Sequence, residues 1–341
     1  MNLAVTAAAA AGAPLLSGDK GTTSEAAVGE TLVSRLGDAM LGLGSRLPDM
    51  RPETLGWELS HALTDFHTCQ YTSLAVRLPR LLQAGHALTS SSDSPEPALL
   101  LAQSYTLATR MLIKLDEQQL GWMAADRARQ LATAANDPLA VAEAARNLAV
   151  LGRKAHWHDA ALSVALDAAD DPALRTAGRR GAAQRGLLIQ CAAYTAARNG
   201  DRDGMRDLTA EAASIADALG GTTLLRDHGG GFGPVTVQLH LISAENSVGD
   251  PAAALAAARA LSPKALPSQE RRSRYYTDVA TALAHRGRRD ECVRALLTAE
   301  QAAPEETHAR PAVKSLISGL LVSGRTTSEL RGLAARSGLL T

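Results

Sequence analysis

Apolar residues recur along most of this chain at intervals of three and four, the period of a helix with one buried face. The pattern is sharpest between Ser273 and Glu305. There Tyr276, Val279, Ala280 and Leu283 make one apolar face, and Cys292, Leu296 and Ala299 make a second beyond Gly287. Gly287 is placed to form the tight turn between two helices. The small residues Ala280, Cys292 and Ala299 fall where the helices must approach closely. Pro304, about 32 positions after the segment begins, stops the second helix.

The same reading extends along the chain. A helix opens at Thr23–Ser24–Glu25 and runs to about Gly42, with Leu32, Leu36 and Met40 on one stripe, and 46–51 is a proline-containing connector. Helix pairs follow at 52–68 with 71–88, 97–115 with 119–134, 138–153 with 159–169, 173–198 with 204–219, and 234–248 with 251–261. The Ser273–Glu305 hairpin comes next, and 310–322 with 327–337 closes the chain. Gly178 and Gly181 mark a break in the longest helix. Residues 1–22 read as a flexible leader and 23–341 as one helical domain. LTSSSDSPEP, 88–97, is its clearest internal linker.

One helical hairpin cannot bury its apolar face alone, so hairpins must stack. The turns fall near 70, 117, 156, 200, 249, 287 and 324, about 36 to 49 residues apart against roughly 34 in an ideal repeat. The expected fold is all-α: a tetratricopeptide-like right-handed α-solenoid of about seven helical hairpins. Glu329 stands where a small packing residue belongs, which suits a terminal unit with a wetter outer face.

Composition narrows the function classes. The 341 residues carry 35 basic and 35 acidic side chains, so the charge excess of a dedicated nucleic-acid binder is missing. Aromatics make up 3%, too few for the stacking platforms that single strands need. Cys69, Cys191 and Cys292 are far apart and odd in number, which points to reduced, buried thiols and a cytoplasmic protein. No apolar run reaches the roughly 18 residues that span a bilayer, so no membrane partner is expected. The opening MNLAVTAAAAAGAPLL resembles a secretion signal only superficially, because its first basic residue is Lys20.

Catalytic and metal chemistry find little support. The Gly-rich run from Asp227 to Gly233 precedes a helix, yet it has no strand before it and no Gly-Lys-Ser/Thr after it, and it reads as a flexible connector. His156–Trp157–His158 and the pair His67 and Cys69 lack the further ligands that zinc requires, and read as turn-forming or core groups. No nucleophile elbow is present. The paired carboxylates Asp170–Asp171 and Glu305–Glu306 lie at helix ends and read as solvated. The chain is therefore not expected to be an enzyme, and no cofactor, metal or catalytic residue is assigned.

Binding remains. In a tetratricopeptide-type superhelix the first helix of each hairpin lines the concave face. That rule points to Arg146 and Arg153, to Gln190, Tyr194 and Arg198, to Thr236, Leu239, Ser243 and Asn246, and to Arg274, Thr277, Thr281 and His285. Of these, Arg146, Arg153, Gln190, Tyr194, Arg198, Thr236, Asn246, Arg274, Thr277 and Thr281 are the candidate ligand-binding residues. Together such groups could hold the backbone and carboxylate of an extended peptide.

From Gly233 onward a resemblance adds to this. The run GPVTVQLHLISAENSVGDPAAALAAARAL, the Leu-Pro…Arg-Arg…Tyr segment, the Arg-Gly-Arg-Arg-Asp-Glu turn and the Ala-Pro-Glu-Glu end carry it. They resemble the C-terminal half of actinobacterial helix-turn-helix regulators of the Cro/repressor (XRE) family with tetratricopeptide-like sensor regions. The resemblance is specific over the last third of the chain and looser before it. Family members place a DNA-binding domain ahead of the repeats, and no basic recognition helix can be fitted into residues 1–50. The resemblance thus implies the sensing and dimerising half of a regulator, with a peptide or protein partner in the groove, a homodimer, and no direct nucleic-acid binding. A static interaction scaffold, or a biosynthetic accessory protein or enzyme on the same frame, are the alternatives.

Overall fold

The computed structural model describes residues 25–43, 50–92, 94–225, 228–324 and 326–340. The leader, most of the 46–51 connector and Asp227 lie outside them. Helices make up most of the described chain. Many begin where the sequence supplies a cap or a proline, and seven of them follow at the N-terminal side: α1 (Glu25–Met40), α2 (Pro52–His67), α3 (Tyr71–Ser91), α4 (Pro95–Leu115), α5 (Gln118–Ala134), α6 (Pro138–Lys154) and α7 (His158–Ala169). After the short α8 (Pro172–Thr176) come α9 (Gly178–Arg198) and α10 (Arg202–Ala218), so the long helix breaks at Ala177–Gly178, where Gly178 has φ +60°. Then come β1 (Thr223–Leu225), β2 (His228–Phe232), α11 (Pro234–Ser247), α12 (Pro251–Arg259), α13 (Gln269–His285), α14 (Arg289–Ala302), α15 (Pro304–Ala309), α16 (Pro311–Val322) and α17 (Ser328–Arg336).

Three Asp-Pro starts show how local chemistry sets these boundaries. Asp137, Asp171 and Asp250 accept hydrogen bonds from the N–H of Ala140, Ala173 and Ala253 at 2.8, 2.8 and 2.9 Å, with proline following in the first helical position. Asp250 also pairs with Arg202 at 3.0 Å, which ties α12 to α10. Asp250→Ala is expected to lower stability by about 1 kcal/mol, read from the urea midpoint. At the turns, Gly200, Gly249 and Gly287 take positive φ, and Cys69, Asp116, Asn136 and His156 do the same at the other connections. His156 therefore serves as a left-handed turn residue, and its ring lies 5.7 Å from that of His158.

Two sequence expectations are corrected here. The Gly-rich run is not an irregular connector but one strand of a two-stranded antiparallel hairpin, Thr223 pairing with Phe232 and Leu225 with His228. Gly231, at φ +66°, lies so close to the facing strand that a Cβ there would stand 2.0 Å from the Thr223 carbonyl oxygen. The serine-rich 88–97 run is mostly helical: α3 continues through Ser91 and α4 starts at Pro95. One hydrophobic cluster, including Leu74, Leu78, Leu101 and Tyr105, crosses it.

Consecutive helices pack as hairpins, α4 on α5, α6 on α7, α9 on α10, α11 on α12 and α13 on α14, with neighbouring first helices α4, α6, α9, α11 and α13 in contact down the row. The Ser273–Glu305 register is realised in the core: Ala280, Cys292, Leu296 and Ala299 are fully buried, with Tyr276 and Val279 packed on the same cluster. Glu329 is exposed on α17.

The row of hairpins closes on itself. Helix α15 packs on α1, and Ala303 and Ala309 join the N-terminal core with Leu32, Leu36 and Phe66. Glu305 of α15 caps α3, whose own N-cap residue Gln70 makes no side-chain bond: it accepts the Thr72 N–H at 2.8 Å and the Thr72 hydroxyl at 3.3 Å. Glu306 is fully buried, accepts the Tyr71 hydroxyl, and pairs with Lys114 at 2.8 Å and Arg310 at 3.4 Å. Glu306 is thus the bond between the two ends of the row, where the sequence suggested a solvated carboxylate.

Candidate ligand-binding cavity

The first helices of successive hairpins point their inner faces at one cavity of about 500 Å³. Helical period selects the lining: Arg110 and Lys114 on α4, Arg146 and Arg153 on α6, Tyr194 and Arg198 on α9, His240 and Ser243 on α11, and Arg274 and Asp278 on α13, each pair three, four or seven residues apart. Nine lysine and arginine side chains line the space, against the two carboxylates Glu270 and Asp278. A chain of zero formal charge has gathered a quarter of its 35 cations around one void.

Most of these cations are held in fixed geometry. Glu143, buried behind the wall, grips Arg146 with both oxygens, at 2.8 Å to Nε and 2.5 Å to Nη2, and also accepts from Gln184 at 2.9 Å. Burial opposes the Glu143 carboxylate, but Arg146 outweighs burial and holds the group below its ordinary range. Lys114 bridges Glu270 and Glu306 at 2.8 Å each. Burial likewise works against Glu270, yet Lys114 and Arg271 hold it well below the usual carboxylate range. Burial brings the neighbouring Arg271 down to about 10 against the pull of Glu270.

Further along α13, Arg274 donates to the Ser243 hydroxyl at 2.9 Å, and Ser243 donates to Asp278. Burial pushes the Asp278 carboxyl up, with Arg274 pulling the other way. Arg153 differs from all of these. It is 8% exposed, it stacks 4.3 Å from the Tyr194 ring centre, and its Nη1 donates to the Cys191 carbonyl, the Thr195 hydroxyl and the Cys191 Sγ, at 3.4, 3.3 and 3.6 Å.

Of the ten residues expected in the groove, Arg146, Arg153, Tyr194, Arg198 and Arg274 line the cavity together. The other five do not. Gln190 is buried, one position off the Cys191–Tyr194–Arg198 stripe. Thr236 is buried and donates to the Gly231 carbonyl at 3.2 Å, and Asn246 donates to the Asp278 carbonyl at 2.9 Å. Thr277 and Thr281 turn their hydroxyls back to the carbonyls of Ser273 and Thr277, at 2.9 Å each. Leu239 is in the core and His285 is exposed, whereas Ser243 does line the wall. The sequence reading missed Arg110, Lys114, Glu270, Arg271, Asp278 and Arg310 because it weighed each hairpin alone. The i, i+4 pairs Arg110–Lys114 and Arg274–Asp278 were the available signal.

A scan against protein-family models returned no match, and neither did a search of the curated proteins.

Two histidines make the assembly acid-sensitive. Burial, then Arg274 and Arg271, keeps His240 well below the ordinary histidine value, and burial with Arg110 lowers His67 to about 3. Below pH about 6.5 the unfolded chain protonates both groups while the folded chain does not, so stability falls as pH falls. Asp278, raised in the folded state, acts in the opposite direction lower in pH. Between pH 7 and 5.5 the histidines are expected to cost about 1 kcal/mol each. Urea midpoints at the two pH values measure this, and His240→Gln should remove its share.

Proposed function

We propose that the chain is a regulatory helical-repeat protein that senses an anionic ligand in its central cavity. On this reading the hairpins form a right-handed tetratricopeptide-like superhelix, wound tightly enough for its ends to meet. The observation that carries it is the cationic lining of the central cavity, supplied in turn by the first helices. The surplus of positive charge favours a negatively charged occupant, and the low-dielectric wall strengthens each contact. Because α15 and α3 meet through Glu305 and Glu306, a ligand on Lys114, Arg271 or Arg310 changes the electrostatics of that junction. Differential affinity for the closed and opened rows then drives the response. By resemblance the output is transcriptional and passes through a protein partner, without enzymatic turnover or direct DNA contact.

Hydrogen exchange on the full chain, with and without anionic ligands, tests this. Protection should spread over α4, α6, α9 and α13 together. Protection confined to outer turns would overturn it and favour a static scaffold. That second reading has its own observation: Trp157, at the turn before α7, is 60% exposed and lies 5.4 Å from the ring of Trp122 on α5, and neither is part of the cavity lining.

A further inference from the structure

We propose that the cavity takes a compact, non-aromatic polyanion bearing two or more phosphate groups, with Arg153 and Arg198 as its primary contacts. The proposal rests on reading the cavity as a ligand site, and narrows the chemical class of the occupant.

Charge comes first. Among the described residues, Lys114, Arg146, Lys154, Arg271, Arg274 and Arg310 form ion pairs with five carboxylates, namely Glu270 and Asp278 in the wall, Glu143 and Glu306 behind it, and Asp116 on Lys154 at 2.6 Å. Positive side chains outnumber negative ones in the lining. Two phosphate groups carry roughly three to four negative charges between them, enough to draw on several of these cations at once. A monocarboxylate carries a single charge.

The excess is also localised. Arg153 is a buried guanidinium whose partners are a carbonyl, a hydroxyl, a cysteine sulfur and an aromatic face, with no carboxylate in hydrogen-bond contact among the described residues. A buried cation of this kind is costly unless an anion completes it. Arg198 lies one helical turn beyond Tyr194, exposed at the rim of the same wall, where it can draw an anion inward. Guanidinium forks match phosphate oxygens in pairs.

Size and surface complete the choice. A void of 500 Å³ is about 10 Å across if round, the length of about three extended residues. The junction of α15 with α1 and α3 brings the two parts of the row together beside the cavity, which favours a compact occupant over a long extended one. The described aromatic side chains Phe66 and Tyr194 of the lining already carry guanidinium groups. Phe66 is 1% exposed with Arg110 stacked 4.4 Å from its centre, and Arg153 occupies a face of Tyr194.

Isothermal titration of the full chain tests this with four probes: sodium tripolyphosphate, fructose bisphosphate, citrate, and a heptapeptide rich in aspartate and glutamate. Tripolyphosphate and fructose bisphosphate should bind at least roughly tenfold tighter than citrate. Arg153→Gln should weaken both phosphates by roughly tenfold or more. Arg198→Gln, at an exposed position that does not threaten folding, should weaken them by roughly threefold or more. Citrate binding as tightly as the phosphates would overturn the phosphate assignment. Phosphate binding unchanged by both substitutions would overturn the site. Peptide binding with protection of α6, α9 and α13, and none by phosphates, would overturn this proposal and leave the sensor reading standing. No binding by any probe, with no protection, would remove both.

Discussion

Glu306→Ala is expected to destabilise the protein by about 3–5 kcal/mol, the cost of breaking a buried ion pair from one side. The carboxylate is fully buried and satisfies three groups: the Tyr71 hydroxyl and Lys114 ammonium from distant parts of the chain, and the Arg310 guanidinium four residues on. Alanine leaves Arg310 without that partner and Lys114 with Glu270 alone. It also empties the space under Tyr71, which is itself 1% exposed. Glu306→Gln keeps the shape and an acceptor for Tyr71 but loses the charge, so it should cost less than half as much. Urea unfolding at pH 7 gives both values. Hydrogen exchange should show the loss first in α1, α3 and α15, the elements that the junction joins. A cost below about 1 kcal/mol would mean that Glu306 does not hold the ends of the row together.

Phe232→Ala should be comparably damaging, at about 3–5 kcal/mol. The ring is fully buried at the end of β2, in a cluster with Leu174, Leu187, Leu219, Leu225 and Val237. It lies against the backbone of α9 at Gly186, where an added methyl would stand 2.2 Å from the ring Cζ. Gly186 is thus the reason the hairpin can sit so close to α9. Losing the ring frees β1–β2, and with it the start of α11, whose Thr236 is tied to Gly231. Since α11 presents His240 and Ser243 to the cavity, the substitution should also weaken any ligand held there. Faster exchange across β1, β2 and the first turn of α11 is the expected signature. A stability loss under about 1 kcal/mol would show that the hairpin is dispensable to the core.

Periodicity, prolines and Asp caps made most helices legible, because those signals are local: α6 and α11 start at the residues the Asp-Pro and Gly-Pro steps indicated, and the break at Gly178 was visible as a glycine in a long helix. The β-hairpin was not legible, since its glycines serve close approach to Thr223 rather than a repeated pattern. Helix α15 was missed for a related reason: Pro304 ends one helix and begins another. The cavity was half legible. Arg146, Arg153, Tyr194, Arg198 and Arg274 follow from which face of a first helix turns inward. Glu306 looked like a solvated helix-end carboxylate, and only the meeting of the two ends of the row buries it. A contact between residues 192 positions apart, such as Lys114 with Glu306, has no local signature.

The central cavity keeps its lining only if that meeting holds in solution, and a double-mutant cycle on Lys114 and Glu306 measures it directly. With Lys114→Met, Glu306→Gln and the double variant, the two sites should couple by about 2 kcal/mol, as contacting charges in one buried network do. Effects that add to within about 0.5 kcal/mol would place the two residues apart and leave an open row of hairpins with no cavity to fill.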